Sequence, residues 1–251
     1  MDIKRAQAEK PEKNSHLPTP TLPLQENSGP NEVPVCEICG DTGFLRYDVP
    51  MGDPKFGSIT PCECQHERIS KSMQAQFGTP FNTSLRLSDV RERGEGSAAM
   101  LQSVSDFLAS PTAFLTLHGR NGNGKSTFLQ ALTNELLERR VMTLYMSAAD
   151  MMEFLKAGIG DDDYDVESRL STLSTVPVLF IDEISGMNFT EWVQEKFGVL
   201  IDRRYRLELG TVLALDDDPC DILHRRIMSR LREGVIIENT DPDMRPLIGM
   251  R

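Results

Sequence analysis

The sequence, of 251 residues, contains no long apolar run. Its apolar stretches, such as residues 178–181, are far shorter than the roughly 18 residues that a transmembrane helix needs, so no membrane span is expected. No apolar segment follows the charged residues 1–13, which argues against a secretory signal peptide. From these two absences we expect a cytoplasmic protein.

An excess of positive charge is also lacking, because 38 acidic residues outnumber 27 lysines and arginines and give a net charge of -11. A surface that binds nucleic acid non-specifically needs positive potential, so any contact with DNA must be local. Seven arginines within residues 203–232 either form such a basic face or pair with acidic neighbours. The candidate acidic partners are Glu208, Asp216, Asp217, Asp218 and Asp221.

The composition changes along the chain and divides it into three parts. Residues 1–34 contain six of the fifteen prolines and no aromatic residue, and they offer too little apolar surface to offset the entropy cost of ordering. We predict a disordered tail there, then a cysteine-rich module and connector over residues 35–79, then a main domain over residues 80–251. Strands alternate with helices in the main domain, which predicts a central parallel β-sheet flanked by helices. The expected strands lie at residues 113–117, 141–146, 176–181, 211–215 and 235–238.

A glycine-rich loop follows the first of these strands. Residues 119–126 fit the P-loop (Walker A) pattern G-x-x-x-x-G-K-[ST] without gaps, and a helix is expected over residues 125–138. Such a loop turns its backbone amides inward, and the helix N-terminus adds its dipole, so the segment suits the phosphates of ATP. Lys125 is expected to reach the β- and γ-phosphates, and the Ser126 hydroxyl to bind Mg²⁺. The predicted nucleotide-binding residues are Gly119, Arg120, Asn121, Gly122, Asn123, Gly124, Lys125, Ser126, Thr127 and Asp182.

Two acidic residues follow the apolar strand at residues 176–181. Asp182 is expected to support the magnesium ion, because Mg²⁺ binds one or two carboxylates beside the phosphates. Glu183 is expected to orient and polarise the attacking water, a role that a hydrolase requires. This pair is typical of a Walker B motif and predicts ATP hydrolysis.

Four of the five cysteines form a second motif, C-x-x-C followed by C-x-C. Two close pairs of soft ligands suit a tetrahedral, structural zinc ion. Disulfides are the alternative, which a reducing compartment disfavours, and His66 could replace one thiolate. The predicted zinc ligands are Cys36, Cys39, Cys62 and Cys64.

Four motifs follow one another along the chain: the loop at residues 119–127, the pair Asp182-Glu183, residues 190–192 leading to 203–205, and residues 226–231. In this order they resemble the AAA+ ATPases of the DnaC/DnaI helicase-loader and IstB transposition-helper group. The resemblance covers roughly residues 80–240. The cysteine segment is similar to the zinc-bearing segment of DnaI-type loaders, which IstB-type proteins usually lack.

The resemblance implies an oligomeric ATPase that binds ATP between protomers and uses ATP, Mg²⁺ and Zn²⁺ as cofactors. Arg230 would be the arginine finger that contacts ATP bound by the next subunit, with Arg226 as a second candidate. The implied partners are a replicative DNA helicase, single-stranded DNA and further copies of this chain. The implied function is helicase loading during DNA replication.

The sequence departs from the family pattern in two places. The strand at residues 211–215 is usually followed by an Asn that senses the γ-phosphate, whereas Asp216 stands here. An anionic side chain would repel the phosphate unless it is protonated, bridged by a metal or turned away, which puts the hydrolysis rate in question. We also expect no helical lid over the nucleotide, with Arg245 a weak substitute contact, as in minimal loaders of this group.

Three other functions stay open at this point. An IstB-like transposition or phage DNA-targeting ATPase would bind duplex DNA. A small-molecule kinase with a P-loop would need neither Glu183 nor an arginine from a neighbouring subunit. The third alternative, which Asp216 suggests, is an adaptor protein that binds ATP without hydrolysing it.

Overall fold

The structure, a computed structural model, describes residues 20–21, 36–51, 53, 56–57, 59–158 and 163–243. The chain divides into two units, Met1–Cys62 and Glu63–Arg251. The predicted disordered tail lies outside the described residues apart from Pro20–Thr21, so its disorder stays a prediction. No helix within the described residues is long and apolar enough to cross a membrane.

The first unit contains a small antiparallel sheet in the order β1-β2-β3. Its strands are β1 (Pro20–Thr21), β2 (Phe44–Tyr47) and β3 (Ile59–Pro61). Phe44 and Arg46 are two positions apart on β2 and so lie on the same face of the sheet, and Ile59 of β3 pairs with Arg46. Phe44 and Ile59 therefore share this face, and both are exposed. This sheet was not predicted from the sequence, because strands of two to four residues are too short to show an alternation of apolar and polar residues.

The second unit begins with two helices and then alternates strands with helices. Helix α3 has the predicted bounds, and every predicted strand agrees with the structure to within two residues. In chain order the elements are α1 (Glu63–Phe77), α2 (Glu95–Ala109), β4 (Phe114–His118), α3 (Lys125–Glu138), β5 (Thr143–Ser147), α4 (Ala148–Lys156), α5 (Asp163–Thr175), β6 (Val178–Asp182), α6 (Glu191–Arg206), β7 (Gly210–Leu215), α7 (Pro219–Ile222), α8 (Arg225–Leu231) and β8 (Val235–Glu238).

Strands β4 to β8 form one sheet in the order β5-β6-β7-β4-β8. Every neighbouring pair is parallel, which confirms the predicted α/β fold with a central parallel sheet. The carboxyl ends of all five strands therefore meet at one edge of the sheet. Because β7 lies between β4 and β6, the residue that follows β7 lies between the loops that follow β4 and β6.

The strand side chains alternate between two apolar cores, one on each face of this sheet. On β6, Leu179 and Ile181 belong to one core, whereas Val178 and Phe180 belong to the other. The first core also contains residues of α4, α5, α6 and α8, and the second contains residues of α2 and α3. All residues of β6 are buried, because helices cover both faces of the sheet. This explains the continuous apolar run in the sequence of β6.

Arg204 is a fully buried charge at the end of α6. Its guanidinium donates hydrogen bonds to the carbonyl oxygens of Leu173, Val176 and Gly210 and to Oγ1 of Thr211. Burial lowers the pKa of Arg204 to about 9. The hydrogen bonds offset part of the cost of removing this charge from water, and they join the end of α5 to the beginning of β7.

Candidate functional site

The loop between β4 and α3 has the backbone shape of an anion cradle. Gly119, Gly122 and Gly124 have φ angles of 134°, 78° and 97°, a region that side chains disfavour. A Cβ at Gly119 would lie 2.2 Å from the carbonyl oxygen of Asn239, so only glycine fits there. The buried side chains of Asn123 and Asn239 each donate to the other residue's carbonyl oxygen, at 2.9 and 3.0 Å. These contacts fix the loop against the segment that follows β8.

Lys125 is the first residue of α3, and only 6% of it is exposed. Its Nζ donates to the carbonyl oxygens of Gly119 at 2.6 Å and Arg120 at 2.9 Å, and to Oδ1 of Asn123 at 3.2 Å. The ammonium group therefore lies within the curve of the loop. A positive charge in this position suits an anion that the loop amides surround.

Asp182 ends β6 and is 3% exposed. Its Oδ2 accepts a hydrogen bond from the Tyr145 hydroxyl at 2.6 Å, and its Oδ1 accepts one from the Glu183 amide at 2.8 Å. Burial raises the pKa of Tyr145, and the negative charge of Asp182 raises it further, so the hydroxyl remains a donor. Two hydrogen bonds thus orient a carboxylate whose oxygens keep acceptor capacity for a cation.

Glu183 has φ 58° and ψ 37°, a left-handed conformation that is uncommon outside glycine. Such backbone strain is concentrated at functional sites. The exposed side chain of Glu183 lines a cleft of about 360 Å³ at the carboxyl edge of the sheet. The other lining residues are Asn121, Gly122, Gly124, Lys125, Ser126, Thr127, Asp182, Gly186, Ala214 and Asp216.

Asp216, which departs from the family pattern, also lies in this cleft. Its Oδ1 is 2.9 Å from Nζ of Lys125, and a third of its side chain is exposed. Protonation, a bridging metal or a turned-away side chain were the three ways in which Asp216 could avoid repelling the phosphate. The structure instead brings Asp216 to the lysine of the loop.

The arginines on α8 form a separate cluster. Arg226 and Arg230 both contact the carboxylate of Asp202 on α6, with Arg230 Nε 3.3 Å from Oδ1. Asp202 is 8% exposed, so it is well placed to fix the orientation of both side chains. The guanidinium of Arg230 also stacks on Tyr205, with its central carbon 4.4 Å from the ring centre.

This arrangement bears on the two readings of the arginine-rich segment. Arg203 pairs with Glu167 at 2.7 Å, and Arg226 and Arg230 pair with Asp202. These partners differ from the acidic residues that the sequence analysis proposed. Within the part of the chain that the structure describes, Arg230 does not line the cleft, and its action on a neighbouring subunit stays a prediction.

The four clustered cysteines come together as the sequence predicted. The Sγ atoms of Cys36, Cys39, Cys62 and Cys64 all lie within 4.8 Å of one another. Cys36 and Cys62 are 3.8 Å apart at Sγ, far beyond the roughly 2.05 Å of a disulfide. A tetrahedral ion with metal–sulfur bonds of about 2.3 Å would separate its ligands by about 3.8 Å. The cluster therefore fits a zinc-binding module.

The structure brings the predicted residues Lys125, Ser126, Thr127, Asp182 and Glu183 to one cleft. Sequence reasoning missed Tyr145, which reads as an ordinary apolar position of β5. It also missed Asn239, the polar residue immediately after β8. The position of Asn239 directly after a predicted parallel strand could have indicated its role, because the carboxyl ends of parallel strands meet at one edge of the sheet.

The chain is similar to a known family and to known proteins. A family model for the bacterial DnaA ATPase domain matches residues 95–238. The replicative helicase loader DnaI of Bacillus subtilis (strain 168) is 30% identical over 141 residues, which are 54% of this chain and 45% of that protein. The replicative helicase loader DnaC of Escherichia coli (strain K12) is 26% identical over 189 residues, which are 71% of this chain and 77% of that protein.

Similarity extends to solved structures. The replication initiator DnaA bound to AMPPCP and single-stranded DNA aligns with a TM-score of 0.58 and 25% identity. The alignment covers 64% of this chain and 51% of that one. The chain thus spans about half the length of DnaI and of this initiator, and about three quarters of DnaC.

Proposed function

The chain belongs to the family of the bacterial DnaA ATPase domain, and on that premise we propose that it is an ATP-hydrolysing loader of a replicative DNA helicase. The observation that carries the ATPase part is the shared cleft of Lys125, Ser126, Asp182 and Glu183. The helicase part is supported by two similar proteins that are named replicative helicase loaders. An initiator bound to AMPPCP supports ATP as the nucleotide.

The residues of the cleft fit a nucleotide with a magnesium ion. The glycine conformations leave the loop amides free of Cβ obstruction, and the buried Lys125 supplies positive charge. Ser126 and Asp182 are the proposed magnesium ligands, because a hydroxyl and an oriented carboxylate are hard oxygen donors. The magnesium ion, when bound, neutralises charge that develops on the phosphates.

The remaining residues of the loop have different proposed roles. Gly119, Gly122 and Gly124 shape the cradle, and the buried Asn123 anchors it to Asn239. Arg120, Asn121 and Thr127 are proposed to contact the nucleotide from the rim of the cradle, since all three are exposed.

Hydrolysis is assigned to Glu183 and to an arginine from a second subunit. Glu183 is proposed to accept a hydrogen bond from the attacking water, because its carboxylate is exposed in the cleft. Arg230 is proposed to reach the phosphates of ATP bound by an adjacent copy of the chain. Self-association is therefore part of the proposal, and it makes turnover depend on assembly.

The cysteine module and the tail are proposed to contact the helicase, and the assembled ATPase domains are proposed to bind single-stranded DNA. The initiator DnaA supports the DNA part, since its structure contains single-stranded DNA. We retain the domain limits 1–34, 35–79 and 80–251 as a proposal, and we propose a cytoplasmic location. The alternative function is that of an ATPase that targets duplex DNA.

The proposal is tested by mixing the purified chain with the replicative helicase of its host and with Mg²⁺-ATP. We expect co-elution on size exclusion, ATP hydrolysis, and a preference for single-stranded over duplex oligonucleotides. Lys125→Ala serves as the nucleotide-site control and Glu183→Gln as the hydrolysis control, with ATP bound but not consumed by the latter. No complex with the helicase, with or without ATP, would contradict helicase loading, and a preference for duplex DNA would favour the targeting function.

A further inference from the structure

The outer edge of β5 is covered by side chains of α1 and of the residues that follow this helix. Within the part of the chain that the structure describes, β5 is the end strand of its sheet, so its outward amides face no further strand. Three of these amides donate to side-chain oxygens instead, namely Thr143 to Ser70 at 3.1 Å, Tyr145 to Gln74 at 2.8 Å and Ser147 to Thr79 at 2.6 Å. The three side chains therefore take the place of a neighbouring strand.

Gln74 matches Tyr145 in the way that a peptide group of a neighbouring strand would. Its Oε1 accepts from the Tyr145 amide at 2.8 Å, and its Nε2 donates to the Tyr145 carbonyl oxygen, also at 2.8 Å. Nε2 also donates to the Thr79 carbonyl oxygen at 2.7 Å, which uses the second of its two N–H groups. Gly78 leaves the room for this arrangement, because a Cβ there would lie 2.0 Å from Nε2 of Gln74.

Tyr145 connects this strand edge to the nucleotide cleft. On the inner side, it is paired in register with Phe180 of β6, and its hydroxyl donates to Oδ2 of Asp182 at 2.6 Å. On the outer side, Gln74 bonds both backbone polar groups of Tyr145. The tyrosine ring is rigid, so a displacement of the backbone at the edge also displaces the hydroxyl. Because hydrogen bonds depend on distance and angle, a displaced hydroxyl would no longer orient the Asp182 carboxylate.

We propose that Gln74 is a positioning residue of the magnesium site, and that it acts through Tyr145 on Asp182. The inference rests on the proposed ATP site and deepens it. Among the residues that the structure describes, those that line the cleft do not include Gln74, so its action on a bound ion is indirect. An effect on the orientation of Asp182 changes nucleotide binding only when Mg²⁺ is present, because Asp182 is a proposed ligand of that ion.

The test compares wild type with Gln74→Met, which keeps the length of the side chain and removes both hydrogen bonds to Tyr145. The Mg²⁺ concentration at half-maximal binding of a fluorescent ATP analogue should rise about fivefold, less than the roughly tenfold or more that is typical for a direct partner of a metal ligand. Binding of the analogue in excess EDTA should match wild type, because no ion is then present. Gly78→Ala should reproduce the rise, since its Cβ displaces the Gln74 amide while Gln74 itself remains.

Two control variants lie on the same helix and leave the contact with Tyr145 intact. Gln76→Met makes the same substitution at an exposed position, and Ser70→Ala removes the bond to the Thr143 amide at the same strand edge. Both should keep the wild-type Mg²⁺ requirement. The thermal unfolding temperature of every variant is measured as well. Ser70→Ala should lower this temperature as Gln74→Met does, which separates a loss of edge stability from a loss of magnesium affinity.

A double variant that carries Gln74→Met and Tyr145→Phe tests the route through Tyr145. Its Mg²⁺ requirement should equal that of Tyr145→Phe alone, because the hydroxyl that transmits the effect is already absent. The inference would be overturned by an unchanged requirement in both Gln74→Met and Gly78→Ala, by a full further rise in the double variant, or by an equal rise in Ser70→Ala. Absence of Mg²⁺-dependent nucleotide binding in wild type would instead contradict the proposed ATP site itself.

Discussion

The hydroxyl oxygen of Tyr145 lies 2.6 Å from Oδ2 of Asp182 and donates a hydrogen bond to it. The two residues stand on the neighbouring strands β5 and β6, and both are buried. The other carboxylate oxygen, Oδ1, accepts a hydrogen bond from the Glu183 amide at the turn after β6. Tyr145 is therefore a positioning residue for the proposed magnesium ligand.

Tyr145→Phe should weaken magnesium-dependent nucleotide binding without abolishing it. Loss of a hydrogen bond that orients a metal ligand typically costs about 10-fold or more in metal affinity. The measurement is the Mg²⁺ concentration at half-maximal binding of a fluorescent ATP analogue. Phe81→Leu removes the ring that packs against Tyr145 in a tilted arrangement but keeps the Tyr145 hydroxyl, so the Mg²⁺ requirement of this variant should match wild type. An unchanged Mg²⁺ requirement in Tyr145→Phe would contradict the positioning role of Tyr145.

Arg230 should act on the nucleotide of another subunit. Arg230→Ala should reduce ATP turnover by roughly 1,000-fold or more, the size of effect seen for arginine fingers, while nucleotide affinity stays near wild type. Arg225→Ala, on the same helix and exposed, is the matched control and should retain turnover. If Arg226 is the arginine finger instead, Arg226→Ala should show this loss of ATP turnover and Arg230→Ala should not.

Mixing two inactive variants separates action between subunits from action within one. Lys125→Ala retains Arg230 but lacks the nucleotide site, and Arg230→Ala has the reverse defect. Random association at equal concentrations should restore about a quarter of wild-type turnover, because that fraction of interfaces joins an intact site to an intact arginine. No recovery in mixtures that co-assemble by size exclusion would refute the assignment.

The sequence predicted those features that depend on neighbours along the chain. The loop at residues 119–126 and the bounds of α3 followed from local glycine spacing and helical periodicity, and the acidic pair followed from its position at a strand end. The resemblance to DnaC/DnaI-type loaders is confirmed by the family model and by the similar loaders. Motif order was a sound guide because each motif is a contiguous segment.

Contacts between distant segments could not be predicted in this way. Tyr145 and Asp182 are 37 positions apart, and Asn123 and Asn239 are 116 apart. Their pairing depends on which strands are neighbours in the sheet, an order that the alternation of elements does not specify. The pairing of Asp216 with Lys125 was missed for the same reason, since it requires β7 to lie beside β4.

Zinc should be bound by the four clustered cysteines and by no other thiol of the described chain. Cys39→Ser should lose zinc and destabilise the first unit, because the fold of a small module depends on its metal. Metal analysis of dialysed protein is the measurement, with a single zinc ion expected per wild-type chain. Cys220 is exposed and outside the cluster, so Cys220→Ser should keep the full zinc content. Zinc loss in Cys220→Ser, or zinc retention in Cys39→Ser, would contradict the assignment.

Thr116 and Thr211 offer a matched pair of buried hydroxyl groups with opposite environments. Both are fully buried, on the adjacent strands β4 and β7. Within the described residues, Oγ1 of Thr116 has no hydrogen-bond partner, whereas Oγ1 of Thr211 accepts from Arg204 and donates to the carbonyl oxygen of Leu209. Valine has nearly the same shape as threonine, so substitution changes the polar contacts and little else.

Thr116→Val should raise the free energy of unfolding by about 1 kcal/mol, because it removes the cost of burying an unpaired hydroxyl. Thr211→Val should lower it by about 1–3 kcal/mol, because the Arg204 guanidinium loses an acceptor in a buried site. Urea titration of both variants and wild type, followed by circular dichroism, measures the two changes. Changes of the same sign would show that side-chain shape, and not hydrogen-bond satisfaction, decides the stability of this sheet.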